Sequence, residues 1–208
     1  MEGINHVDPG GPPLVARLSG SVTMIKVSVG PVDNNAYLLQ TSGTGLLVDA
    51  ANDVDRLLKI IADHPLHSIV TTHRHADHWQ ALASLAVATK ARSICGQPDL
   101  EAISAGAGIE GLVGVWDGDQ VELGTDSLEV IGLVGHTPGS ITLAYAGGGV
   151  THLFTGDSLF PGGPGRTNNP KDFTSLMNDL ENKIFNRFDD DTVVHPGHGD
   201  DTTLGTER

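Results

Sequence analysis

Apolar residues fall along this chain in short bursts of two kinds, and the period of each burst predicts an element. Alternating or continuous runs rich in Val, Ile, Leu and Thr, closed by Gly or Asp, read as strands. VTMIKVSV (22–29), NAYLLQT (35–41) and GLLVDA (45–50) are three in succession, the last two joined by a Ser-Gly-Thr turn. The period then changes: in NDVDRLLKIIADH (52–64), Val54, Leu57, Leu58 and Ile61 share one helical face. HSIVTT (67–72) is again a strand. From Asp77 or His78, WQALASLAVATK (79–90) reads as a helix, apolar nearly all round and so expected to be well covered. RSICG continues as a strand and PDLEAI as a short helix.

Beyond about residue 115 the texture differs. DGDQVELG, SLEVIGLV (127–134), ITLAYAG (141–147) and VTHLFTGD (150–157) are strands with Gly and Asp turns between them. One late helix, DFTSLMNDLENKIF (172–185), is predicted to turn Phe173, Leu176, Met177, Leu180 and Ile184 inward; TVVHP (192–196) is a last strand. Both halves run strands first and helix after. That order predicts an α/β fold, two sheets face to face with helices outside, as a four-layer αββα sandwich in one domain. The domain is placed at 22–208, with residues 1–21, rich in Pro and Gly, as a loose or surface-hugging arm.

Composition narrows the partners. At 208 residues the chain can bury a core of its own. Twelve basic against 26 acidic residues give a net charge of −14. Such a surface repels phosphate backbones and anionic lipid, so neither nucleic acid nor membrane is expected as a partner. The single cysteine, Cys95, excludes an intrachain disulfide and a Cys-rich zinc site, and beside Ile94 it reads as a buried thiol. No apolar run is long enough to span a bilayer, and the first residues lack the basic and apolar regions of a secretion signal; a cytoplasmic location is the expectation.

Several polar residues stand where an apolar strand stops: Asp49 after GLLV, His73 after SIVTT, His136 after VIGLVG, Asp157 after THLFTG, His198 after VVHPG. Strand ends gather at one edge of a sheet, so these separate segments can meet in one cleft. The stretch TTHRHADHWQ adds His75, Asp77 and His78 directly behind His73. Imidazoles bunched this tightly are costly to desolvate and repel one another once protonated, which makes sense around a cation. Neutral imidazole and carboxylate are the ligands a borderline divalent metal prefers. His73 and His75 can grip one ion, with His136 completing the set. Asp77 and His78 turn elsewhere and suit a second ion, completed by His198, and Asp157 can bridge both. Seven ligands for two metals leave room for a bridging hydroxide, the nucleophile of a hydrolase. Asp49 is either a turn residue or a group that orients a ligand. His6, His64, His67 and His152 read as ordinary histidines, and His195 as a wall residue beside the site.

HRHADH, GHTPGS (135–140), TGDSLF (155–160) and HPGHG (195–199), in this order and spacing, resemble the metallo-β-lactamase superfamily over nearly the whole chain from about residue 22. The resemblance implies an αββα sandwich with a metal cleft at one edge. It does not name a substrate, since hydrolases, nucleases and oxygenases share the fold. The carboxylate at 157 is not what true lactamases of the superfamily carry, and nuclease branches need clamping segments for which this short acidic chain has no room. TGDSLFPGGPGRT and HPGHGDDTTLGTE look most like glyoxalase II, the hydroxyacyl-thiol hydrolases. In that family a basic residue after the Gly-rich loop contacts the thiol's carboxylate. Arg166 falls there, with a loop-stabilising ion pair as its alternative role. Two departures stand out. Trp79-Gln80 replaces the usual glycine pair and is expected to alter the cleft wall or the helix start. Only ten residues follow His198 in this sequence, without the C-terminal helical segment that binds glutathione in larger relatives. Mycothiol, bacillithiol and coenzyme A esters therefore stand beside glutathione as carriers.

The expected activity is hydrolysis of a small-molecule thioester, with Asp77 and Asp157 orienting the nucleophile as they ligate. Zinc is the expected metal, and iron or manganese accept the same ligands. One rival is a persulfide dioxygenase with a single iron held by His73, His136 and Asp157. Another is a lactonase, whose ester leaving group would want a positioned acid such as a tyrosine; Tyr37 and Tyr145 both read as strand residues.

Overall fold

In the computed structural model, which describes residues 5–62 and 64–208, the runs of the first half join one mixed sheet. Residues 1–4 of the expected arm and Asp63 of the expected first helix lie outside the described residues. The spatial order is β1 (Leu14–Arg17), β2 (Thr23–Val29), β3 (Asn34–Gln40), β4 (Gly45–Val48), β5 (Leu66–Thr71), β6 (Arg92–Gly96) and β7 (Val113–Val115). The first four are antiparallel neighbours, and β4 to β7 are parallel. β4 is buried along its whole length, as a strand covered on both faces must be. α1 (Val54–Ile61), α2 (Leu82–Thr89) and α3 (Leu100–Ala107) make the crossovers between the parallel strands. Asp53 caps α1 by accepting from Arg56 N–H. Leu57, Ile61, Leu82, Leu85 and Ile103 pack these helices on Val27, Leu38, Leu47 and Ile69.

The second half forms the second sheet: β8 (Gln120–Leu123), β9 (Asp126–Gly132), β10 (Ile141–Gly147), β11 (Val150–Gly156), β14 (Val193–Pro196) and β15 (Thr202–Thr203), in spatial order β15-β14-β11-β10-β9-β8. A small hairpin, β12 (Leu159–Phe160) with β13 (Gly163–Pro164), follows β11. α4 (Pro170–Asp179) covers the outer face and runs on through a wide i→i+5 turn at Leu180–Phe185; α5 (Leu204–Glu207) closes the chain. Met24, Tyr37, Leu46 and Val48 of the first sheet meet Leu128, Val130, Leu143 and Phe154 of the second between the sheets. The four layers are those the residue pattern predicts. Among the described residues no helix is long and apolar enough to cross a membrane.

Three expectations are corrected. Residues 14–17, read as part of an arm, pair with β2 as an edge strand, and Val7 is buried. The helix expected from Asp77 or His78 begins at Leu82 and is not well covered: Val87 is 81% exposed, because α2 lies in the outermost layer. Phe173 is not turned inward but is 47% exposed. Phe173 stands in the first turn of α4, and the inward row is made by Leu176, Leu180 and Ile184.

Strand directions place the site. β4 and β5 run the same way. β9 and β11, each antiparallel to β10, also run together, and β14 is parallel to β11. The C-terminal ends of these strands therefore gather at one edge of each sheet. Backbone bonds tie the edges together: Ile141 N–H to the Thr72 carbonyl (2.9 Å), Asn35 N–H to the Gly197 carbonyl (2.8 Å) and Gly199 N–H to the Asp33 carbonyl (3.2 Å).

Candidate metal centre

Where β4 ends, Asp49 takes a left-handed backbone (φ 57°), which Asp tolerates better than a branched residue would. This turn aims its buried carboxylate across the end of β5. It accepts from Thr72 N–H and Thr72 Oγ1, both at 2.8 Å, and lies 2.7 Å from His78 Nδ1. The chain beyond β5 then winds through a short 3₁₀ turn, Ala76–His78, that swings Asp77 and His78 away from His73 and His75. The Trp79 indole N–H donates to the Arg74 carbonyl (2.9 Å), closing the histidine loop, and Asn52 Nδ2 donates to Gln80 Oε1 (2.6 Å). The Trp-Gln pair therefore staples the loop, and the helix starts only at Leu82 because the N–H groups of Gln80 and Ala81 go to the Ala51 and Ala50 carbonyls.

Protons are already committed on the far side of most rings. His136 Nδ1 donates to the Arg166 carbonyl (2.7 Å) and His198 Nδ1 to the Val32 carbonyl (2.8 Å). Unless a ring gains a second proton, its Nε2 faces inward as a lone pair. His73 Nε2, His75 Nδ1 and His136 Nε2 form a triangle with sides of 3.0, 2.9 and 3.2 Å. Burial, with His78 close by, holds His73 well below its ordinary value, and burial with His136 lowers His75. Neutral imidazoles this close repel through their lone pairs. A cation among them converts the repulsion into ligation.

The second group has a different electrostatic character. His78 Nε2 and His198 Nε2 are 3.2 Å apart, and Asp77 Oδ2 lies 3.7 and 3.4 Å from them. Burial opposes charge on His78 but is outweighed by Asp49 and Asp157, which raise it to about 10. His198 is raised likewise, burial being overcome by Asp157. This group draws positive charge, whether proton or metal.

Asp157, just past β11, reaches both groups. Oδ1 is 3.3 Å from His78 Nε2; Oδ2 is 3.5 Å from His198 Nε2, 3.6 Å from His136 Nε2 and 3.9 Å from His73 Nε2. Burial works against its charge, yet the close rings of His198 and His78 hold the carboxyl well below the usual range. Its buried Oδ1 has no hydrogen-bond partner among the described residues, an unmet acceptor that a cation would satisfy. Gly197 leaves the room: a Cβ there would meet Asp157 Oδ1 at 2.3 Å and His78 Cε1 at 2.7 Å. Donor type, spacing and the unmet oxygen all fit two divalent cations: His73, His75 and His136 could hold one, Asp77, His78 and His198 the other, with Asp157 shared.

All seven residues singled out as ligands thus meet in one cluster, with Asp49 touching it through His78. Arg166 is exposed and its side chain makes no hydrogen bond or ion pair among the described residues; its backbone orients His136. His195 is corrected: it is no cleft wall but buried, bonded to Asp201 and His152. Sequence reasoning missed Asn34, whose Nδ2 donates to Asp77 Oδ2 (2.9 Å) and, against the opposing effect of burial, helps lower the Asp77 carboxyl. It also missed Asp99, fully buried at the head of α3 between the histidine loop and the loop of His136. The doubled Asn34-Asn35 at a strand head was a usable signal; Asp99 in QPDLE, at the head of a short helix, offered none. A groove of about 870 Å³ among Arg17, Ile25, Gln40 and His64 contains none of the cluster residues.

Comparison with known proteins adds the following. Residues 29–198 match the model of the metallo-beta-lactamase superfamily. A protein named hydroxyacylglutathione hydrolase GloC, from Haemophilus influenzae, is 30% identical over 184 residues, covering 78% of this chain and 83% of the relative. The crystal structure of ETHE1 from Myxococcus xanthus superposes with a TM-score of 0.75 at 27% identity, over 88% of this chain and 80% of that one. TTHA1623, solved in a di-iron-bound form, gives 0.72 at 30% identity, over 87% and 95%.

Proposed function

From the premise that the chain belongs to the metallo-beta-lactamase superfamily, we propose that it hydrolyses a small-molecule thioester of the hydroxyacyl-thiol class at a pair of divalent cations. One observation carries the reading: the Asp157 carboxylate stands within 3.3–3.9 Å of ring nitrogens from both histidine groups, with an oxygen left unmet. Two divalent cations, when bound, supply a water acidified to about neutrality and a Lewis acid for a carbonyl.

The chain's own groups do the rest. Asp77 and Asp157 accept hydrogen bonds and fix the direction of an attacking water, Asp77 being held by Asn34. Asp49 keeps His78 in one tautomer, and the Arg166 carbonyl does the same for His136. The Arg166 guanidinium, free of partners among the described residues, is available to the carboxylate of a carrier thiol. A thiol leaves with a pKa of about 8.5 and asks for little acid help. An alkoxide would ask for more, and neither tyrosine is placed to give it. Tyr37 and Tyr145 are buried, bonded to the Pro196 carbonyl and to Ser19, and burial together with Asp201 pushes Tyr37 well above its usual value. This favours a thioester over a lactone. The name of the H. influenzae relative points to the same class.

The test is to count cations per chain and assay a panel of thiol esters by free-thiol release, for the parent and His198→Ala. The expected outcome is two ions in the parent, one in the variant, and a loss of hydrolysis of at least about a hundredfold. One iron per chain, kept through His198→Ala, with no esterase activity on the panel, would replace this reading with a mononuclear oxygenase using His73, His136 and Asp157.

A further inference from the structure

Lys26 occupies a place where a lysine is costly. It lies mid-strand in β2, turned between the sheets, with 0% of its surface exposed. An ammonium in such a setting must satisfy all three of its protons, and it does. Nζ donates to Asp201 Oδ1 (2.8 Å), to the Gly199 carbonyl (2.8 Å) and to the Asn5 carbonyl (3.1 Å). Asp201, also buried, accepts on its other oxygen from His195 Nδ1 (3.0 Å) and Asn5 Nδ2 (3.2 Å).

These contacts converge on the segment that presents His198. Asn35 Nδ2 donates to the carbonyls of Pro196 (3.0 Å) and Gly199 (2.9 Å), and Tyr37 Oη to that of Pro196 (2.7 Å). His198 is therefore flanked on both sides by carbonyls gripped from the first sheet, while its own chain comes from the second. Gly199 is held by Lys26 and Asn35 together. Replacing a buried ion pair with apolar groups is often neutral for stability, so stability alone does not account for this pair. Fixing a loop in one register does.

We propose that Lys26 is a positioning residue for the second cation group: through Gly199 and Asp201 it locks the 196–201 loop of one sheet onto the other and holds His198 where it can share an ion with Asp77 and His78. The inference rests on the paired-cation reading above. Lys26 touches neither substrate nor metal.

The experiment is a titration of chelator-treated protein with Co(II), followed by visible absorption and calorimetry, which separates the two sites. Three proteins are compared: the parent, Lys26→Met, and Lys26→Met with Asp201→Asn. The double variant leaves no unpaired buried charge and keeps acceptors for His195 and Asn5, so it folds even if the single variant does not. The expected result is first-site affinity within about twofold of the parent. Second-site affinity should be about 10- to 100-fold weaker in either folded variant, the range for groups that orient metal ligands from behind. Equal second-site affinity in the folded double variant overturns the inference and leaves the paired sites standing. A parent chain that takes up a single Co(II) overturns the paired-site reading, and this inference with it.

Discussion

Asp99 is the residue whose replacement most sharply tests how the centre is held together. It is fully buried at the head of α3, and its carboxylate makes no cap bond to its own helix. Oδ2 instead accepts from Arg74 N–H (3.0 Å), between His73 and His75, and from Thr137 Oγ1 (2.5 Å), next to His136. Oδ1 accepts from Gly139 N–H (3.1 Å). One carboxylate thus ties the two loops that supply the first cation group. Asp99→Asn is nearly isosteric but brings only one oxygen. Set on the Oδ2 side, it keeps two bonds and turns its NH₂ against the Gly139 N–H. A bond to a charged acceptor is worth about 1.5–3 kcal/mol and an unpaired buried N–H costs about 1–3; these overlap, so the loss should be about 2–4 kcal/mol. Urea unfolding in the presence of chelator measures it, as a lower midpoint at unchanged slope. Affinity of the first cation group should fall about 10- to 100-fold in the same variant. A stability change under about 0.5 kcal/mol, the scale of a surface substitution, together with unaltered cation affinity would refute the reasoning.

Two further outcomes follow from the electrostatics. Arg166→Ala should raise KM about tenfold for thioesters whose carrier bears a carboxylate, the equivalent of one bond of about 1.4 kcal/mol, with kcat little changed; an unchanged KM would remove Arg166 from substrate binding. His78, raised to about 10, must surrender its Nε2 proton to a metal, so cation uptake at pH 7 should release about one proton per chain from it, read from the buffer dependence of the binding heat. The same shift sets a stability window for chelator-treated protein. The folded value lies above the ordinary 6.5, so the His78 contribution is complete below about pH 6.5 and disappears as pH rises through about 10. Thermal midpoints that stay level from pH 7 to 10 would contradict that assignment.

What the residue pattern made legible, and what it hid, separates along a physical line. His73, Asp157 and His198 could be picked out because each ends an apolar run, and strand direction alone carries such ends to one edge. The layers were legible for the same reason, since Leu47 or Val130 must be covered by something. Phe173 was misjudged because it stands in the first turn of α4, where the helix enters from the surface, although its spacing from Leu176 and Leu180 suits an inward row. The arm was misjudged because LVAR is a short edge strand whose outward positions look like any loop. Asn34, Asp99 and Lys26 were hidden more deeply. Each holds a carbonyl, an N–H or an acidic group that lies far away in sequence: Asn34 to Asp77, Asp99 to Arg74 and Gly139, Lys26 to Gly199 and Asp201. A metal ligand must be one of a few residue types, so ligands leave a signature in composition and spacing. A residue that positions a ligand through the backbone can be any polar type, because its partner is present at every position of the chain. Such residues become visible only through burial. A polar side chain with almost no exposed surface and every hydrogen-bonding atom engaged is the structural mark that Lys26 and Asp99 share with Asp49 and Asp201, and that the exposed charged residues of this acidic chain lack.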